Sequence, residues 1–111
     1  SGGVYLAGQV AFHYKDDTSI REIPTDVDSS KLRATHFAYD LSDARTDPNV
    51  VFPIDTLRRL ASEGIVGSLA SSFQSFIGGI YSTRRVIAEL APRLLQRFRE
   101  EKVDAVLLVP V

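Results

Sequence analysis

Residues 103–111 read VDAVLLVPV, an apolar run interrupted only by Asp104 and Pro110. A strand with one wet face alternates apolar and polar side chains, whereas a strand covered on both faces is apolar throughout. The run therefore predicts an interior strand of a parallel sheet over 103–109. Upstream, residues 83–101 carry Val86, Ile87, Leu90, Ala91, Leu94, Leu95 and Phe98 at three- to four-residue spacing, the stripe of an amphipathic helix. Ser82 or Thr83 is placed to cap it. Pro92 falls inside the stripe, where proline loses one hydrogen bond and meets the carbonyl four residues back, at a cost of about 3 kcal/mol. The stripe keeps its phase through Pro92, which predicts one kinked helix. Ahead of it, IVGSL (65–69) reads as a short strand. Strand, helix and strand then form a right-handed crossover. The expected fold class is α/β: a small parallel or mixed sheet with flanking helices, Rossmann-like and incomplete.

The rest of the chain gives shorter signals. The opening SGGVYLAGQ reads as a glycine turn leading into extended structure. IREI (20–23) has the pattern of a half-buried strand stopped by Pro24, and LRATHF (32–37) is a second strand candidate. Residues 24–48, rich in Asp, Ser and Thr, otherwise read as an irregular surface excursion. Pro48 and Pro53 bracket an extended piece at 49–52. Asp55 is placed to cap a helix with Leu57, Leu60 and Ala61 as its apolar stripe, and Gly64 is its left-handed stop.

Length bounds the organisation. The chain has 111 residues, enough for one α/β domain over 1–111 and too few for two. Hydrophobic residues make up 44% and both charge signs are interspersed, which excludes disorder by composition. A net charge of −1 gives no electrostatic footprint for nucleic acid or for an anionic membrane surface. No stretch reaches the roughly 20 apolar residues of a membrane span. There is no cysteine, so no disulfide and no thiolate metal site can form within these residues, which suits a cytoplasmic setting.

Few residues here can carry chemistry. His13 and His36 are the only histidines, and no Asp or Glu spacing around them suggests a metal. If residues 36–40 were helical, His36 and Asp40 would share a face and the carboxylate could orient the imidazole. Neither a nucleophile elbow nor a phosphate-binding glycine motif occurs. GGIYSTRR (78–85) sets glycines and two hydroxyls at a helix start, so Ser82, Thr83 and Arg84, with Arg85 beside them, could hold an anion on free amides. The carboxylate pairs Asp16–Asp17 and Glu100–Glu101 read as solvated charges.

Four regions of the chain together resemble the selenoprotein B family of the glycine, sarcosine, betaine and D-proline reductases. They are SGGVYLAGQ (1–9), REIP (21–24) with ATHFAYD (34–40), DPNVVFPIDTLRRLASEGIVGSLA (47–70), and VDAVLLVPV (103–111). The third is the most specific, because its proline and aspartate punctuation, helix and glycine stop persist over two dozen residues. The resemblance implies an α/β oxidoreductase subunit that reductively cleaves a carbon–nitrogen bond of an amino acid or betaine, with a dithiol/disulfide couple as electron partner. It also implies other reductase subunits and a thioredoxin-like dithiol donor as partners. In such a subunit a selenocysteine-x-x-cysteine pair, or its cysteine equivalent, follows directly after the strand like VDAVLLVPV.

The redox residue is thus expected downstream of Val111, with no cofactor inside the chain. A UGA codon, read as termination or taken as a boundary, is the expected reason the polypeptide stops there. The resemblance also implies a strand ahead of SGG, so the start is expected to be trimmed as well. The chain as given is expected to be an N-terminal part of the subunit and inactive alone. Substrate contacts are expected at the carboxyl edge of the sheet: Gly2, Gly3, Gly78 and Gly79 for close backbone approach, His36 to bond substrate, and Asp40 to orient it. The competing expectation is a non-catalytic α/β module binding a small anion at 82–84 or a partner protein. An exposed sheet edge at 103–111 would also permit homo-oligomers.

Overall fold

A computed structural model describes residues 2–110. Among these residues there are two antiparallel two-stranded sheets, not one parallel sheet. Strand β1 (Gly3–Leu6) pairs with β3 (Leu32–Thr35), and β2 (Arg21–Pro24) pairs with β4 (Ser72–Ser75). The register sets Val4 opposite Ala34 and Leu6 opposite Leu32 in one sheet, and Ile23 opposite Phe73 in the other. Side chains alternate across a strand, so each pairing sends one apolar set inward. Val4, Ile23 and Leu32 are buried in this way. The glycine-led opening, the strand ending at Pro24 and the first part of LRATHF thus form as the patterns indicate.

The excursion after β3 is more ordered than its composition suggests. It contains a short helix, α1 (Ser42–Thr46), and a 3-10 turn at Pro48–Val50 in place of the expected extended piece. Helix α2 (Ile54–Ser62) follows Pro53. Asp55 lies in its first turn rather than capping it. The capping role falls to Asn49, whose Oδ1 accepts the Asp55 N–H at 2.9 Å while its Nδ2 donates to the Asp55 carboxylate at 2.8 Å. Gly64 ends α2 as expected, with φ of 77°. The Gly64 N–H bonds to the carbonyl of Ala61 and the Ile65 N–H to that of Leu60, the paired bonds of a left-handed helix stop. Leu41, Ala44, Val51 and Ile54 then join Val4, Ile23 and Leu32 in one core. Phe52 meets Phe73 edge to face at 5.7 Å.

The last helix is one run, α3: Thr83–Arg85, a π-helical turn at Val86–Leu90, and Ala91–Glu100. The Ser82 hydroxyl caps it by accepting the Arg85 N–H at 3.3 Å. The Ala91 N–H bonds five residues back, to the carbonyl of Val86. This wider turn lies immediately ahead of Pro92 and opens the ladder where proline would crowd it. The helix stays continuous through Pro92, as the unbroken phase of the stripe predicts. Only part of the stripe is covered: Leu90 is buried, while Ile87 and Leu95 are exposed.

The crossover unit does not form. Residues 65–69 make no strand, because they leave the Gly64 stop as bends and Ile65 is 70% exposed. The partner of β2 is instead SFQS at 72–75, which has no strong apolar pattern of its own. Residues 103–110 pair with no strand among the described residues, and Val106 to Val109 are exposed. An apolar run reports what a segment can bury; it does not supply the neighbouring strands that would bury it. Val111, after which the redox residue is expected, lies outside the described residues, as does Ser1. The architecture is therefore a small mixed α/β fold and not Rossmann-like.

Candidate functional site: a glycine-lined edge

Antiparallel pairing brings the start of β1 to the end of β3, where Gly3 faces Thr35. The approach is close enough to require glycine. A Cβ on Gly2 would lie 1.7 Å from the Thr35 carbonyl oxygen and 2.6 Å from the His36 Cα. A Cβ on Gly3 would lie 2.8 Å from the Phe12 ring and 3.0 Å from the Ile77 Cγ2. The end of β4 is tied to the same place, because the Ser75 hydroxyl donates to the Val4 carbonyl across the gap between the two sheets. Of the sequence-nominated residues, Gly2 thus lies beside His36, and Gly3 beside Ile77, which Gly78 and Gly79 follow in the chain. The close approach at Gly2 and Gly3 is to the protein's own backbone and side chains. Gly78 is the open one, with no atom within 4 Å of where its Cβ would be.

His36 and Asp40 do not form the expected pair. Residues 37–39 are a bend and not a helix, so no shared helical face exists. The Ala38 N–H donates to His36 Nδ1 at 3.1 Å, which leaves the proton of the neutral ring on Nε2 as a free donor. The Phe37 and Tyr39 rings lie 6.1 and 5.9 Å from the imidazole. Asp40 accepts from both the backbone N–H and the hydroxyl of Ser42, at 2.9 and 2.7 Å, and these bonds hold its carboxyl below the usual carboxylate range. Its work is to start α1.

One of the amides nominated for an external anion, that of Ser82, already has an internal one. Asp16 Oδ1 accepts the N–H groups of Tyr81 and Ser82 at 2.6 and 3.3 Å. Arg85 donates to the Asp16 carbonyl at 2.7 Å and pairs with Glu89 at 3.1 Å. Thr18, only 5% exposed, donates to the same Glu89 carboxylate at 2.8 Å. Hydrogen bonds from Arg85 and then Thr18 hold the Glu89 carboxyl below its ordinary value. An external anion using the Ser82 amide would have to displace Asp16. This cluster was missed in the sequence, where Asp16 read as a solvated charge and Arg85 only as a neighbour of the nominated anion site. No local spacing signals a contact across 65 residues.

Two grooves lie elsewhere. One, of about 480 Å³, runs between the β2–β4 sheet and α3 and is lined by Glu22, Gln74, Arg93, Arg97 and Glu101. Its charges are largely engaged: Arg97 pairs with Glu22 at 3.1 Å, and Glu101 accepts the Ser71 hydroxyl at 2.5 Å. The other, of about 440 Å³, lies beside Phe98, Lys102 and Val106. Among the described residues no three His, Cys, Asp or Glu side chains converge to hold a metal. No helix among them is long and apolar enough to cross a membrane.

The fold and this edge define a cysteine-free mixed α/β unit whose distinctive residues are glycines and one histidine. Residues 9–111 match the family model for glycine/sarcosine/betaine reductase selenoprotein B. The chain belongs to that family. It is 36% identical over 108 residues to the D-proline reductase subunit gamma of Acetoanaerobium sticklandii, covering 97% of this chain and 45% of that one. It is 30% identical over 76 residues to the betaine reductase complex component B subunit beta of Peptoclostridium acidaminophilum, covering 68% of this chain and 17% of that one. It is 29% identical over 83 residues to the glycine reductase complex component B subunit gamma of Symbiobacterium thermophilum, covering 75% and 19%. The chain thus spans less than half the length of these relatives, which are subunits or components of reductase systems. No solved structure matches it.

Proposed function

We propose that this chain is the N-terminal, substrate-side part of a reductase subunit that cleaves a carbon–nitrogen bond of an amino acid or betaine. The observation that carries this reading is the 36% identity to D-proline reductase subunit gamma across nearly the whole chain, in a sequence without cysteine. In the reaction two electrons and two protons break the bond. The carbon gains one hydrogen and the nitrogen the other, as a separate amine from an open-chain substrate or as the amine end of an opened ring from proline, and a dithiol becomes a disulfide. A selenolate or low-pKa thiolate is the group such a step needs, and these 111 residues hold none. In the proposal the redox residue therefore stands in sequence beyond this chain. Other reductase subunits and a thioredoxin-like dithiol donor complete the system.

The Gly2–Gly3, His36 and Gly78–Gly79 edge would face the substrate. The free Nε2–H of His36 would donate to its carboxylate, and the open backbone at Gly78 would allow close approach. Asp40 keeps only an indirect part, setting the turn that follows His36.

The test has two arms. The purified chain, offered D-proline, glycine, sarcosine or betaine with a dithiol, should give no cleavage product: neither a released amine nor, from D-proline, the ring-opened amino acid. The complete subunit of which it is part, assembled with its partner subunits, should turn over one of them. There, His36→Ala should lower kcat/KM about 10- to 100-fold, the loss of one hydrogen bond to a charged group, while His13→Ala leaves it unchanged. Turnover by the chain alone, or a complete assembly inert to all four compounds, would overturn the reading.

A further inference from the structure

Residues 11–19 form a strap laid over the glycine-lined edge. The Phe12 ring and the Ile77 Cγ2 both sit against Gly3, at the spot a Gly3 Cβ would need. The Arg21 guanidinium covers that ring at 4.4 Å. Beyond Phe12 the strap buries little. Val10, just before it, is 79% exposed and Tyr14 is 68% exposed; within 11–19 only Thr18 is buried. What fastens the far end is polar: Asp16 on the Tyr81 and Ser82 amides, Arg85 on the Asp16 carbonyl, and Thr18 on Glu89. Asp16 makes this clasp with φ of 49°, a left-handed conformation that a residue with a Cβ holds only under strain.

We propose that residues 11–19 are a hinged cover on the Gly3–Ile77 edge, held shut by the Asp16 clasp on the start of α3. The strap is braced within itself, since the Asp17 carboxylate accepts the N–H groups of His13 and Ser19 at 2.8 and 2.9 Å. Release of the clasp therefore moves it as a unit. Opening exposes little apolar surface beyond Phe12 and lets water replace the clasp bonds, the profile of a low-cost local opening. It uncovers Gly3 and Ile77 beside Gly2, His36 and Gly78, so the cover governs what reaches them. Its role rests on reading that edge as substrate-facing. Its motion is measured without any reductase assay, so a failure of either is recognised separately.

The experiment is methyl and amide NMR on the whole chain, with Asp16→Gly and Arg85→Gln as variants. Glycine accepts the positive φ, so D16G removes the carboxylate without adding strain; R85Q cuts the bond from Arg85 to the carbonyl of residue 16. The Ile77 methyl, shifted by the Phe12 ring, should move toward its unshielded position in both. Amides of residues 11–19 should share one exchange process whose open population rises at least about tenfold, the factor for losing one or two charge-assisted hydrogen bonds. The Ile23 and Ile54 methyls should stay in place. An Ile77 methyl that does not move in either variant overturns the cover. So does an equal shift of Ile23 and Ile54, which would mean the whole core had loosened.

Discussion

The hydroxyl of Ser75, at the end of β4, donates to the carbonyl of Val4 in the middle of β1 and joins two sheets that share no ladder. Ser75 is only 6% exposed, so neither water nor another side chain can readily replace it. Ser75→Ala leaves a buried carbonyl without its partner and should cost about 1–3 kcal/mol. Urea unfolding should show a lower midpoint with an unchanged slope. A loss smaller than about 0.5 kcal/mol would mean that the sheets hold together without this bond.

The glycines at the edge should rank by what their missing Cβ would meet. In Gly2→Ala the new carbon meets a backbone oxygen at 1.7 Å, so the terminus must leave its place beside Thr35. In Gly3→Ala it meets two side chains near 3 Å, an overpacking worth about 1–3 kcal/mol. Gly78→Ala meets nothing and should be neutral within about 0.5 kcal/mol. Thermal unfolding of the three variants checks the order, and a Gly78→Ala penalty as large as that of Gly3→Ala would contradict it.

Lys102 ends α3 with φ of 53°, and the bonds from Lys102 to Arg99 and from Val103 to Phe98 repeat the geometry Gly64 provides for α2. Glycine is the residue suited to that angle. Lys102→Gly should therefore raise stability by about 0.5–1 kcal/mol. Gly64→Ala, in open space at φ of 77°, should lower it by about 1 kcal/mol through backbone strain alone. Paired melts show whether the two changes have opposite signs.

Acid should unfold the protein through bonded carboxylates. Glu89, held by Arg85 and Thr18, and Glu101, held by Ser71, lie below their ordinary value of 4.5; Asp55, held by Asn49 and Ser29, lies below 3.8. A carboxyl with a lower folded than unfolded pKa binds fewer protons when folded. Its stabilisation is full above the unfolded value and is lost as pH falls through the folded one. Stability should stay level from about pH 7 to pH 5.5 and fall below about pH 4.5. Urea midpoints across that range test this, and Glu89→Gln should flatten the acid slope.

Local order was legible because its causes are local. The left-handed stop at Gly64, the Ser82 cap, the helix carried through Pro92 and the strand closing at Pro24 each depend on neighbours within a few residues. The four segments quoted from the sequence, above all 47 to 70, together also sufficed to place the chain near its family. The edge itself was half legible: the glycines and His36 could be nominated, but not the reason they meet. The parallel sheet failed for a related reason. VDAVLLVPV has the composition of a covered strand, yet covering is a relation with other strands, and none of the described residues pairs with it. The SFQS strand, the Ser75–Val4 link and the Asp16 clasp join groups 48 to 71 positions apart. Hydrogen bonding between such groups is set by where the folded backbone brings them, so only the tertiary structure could decide it.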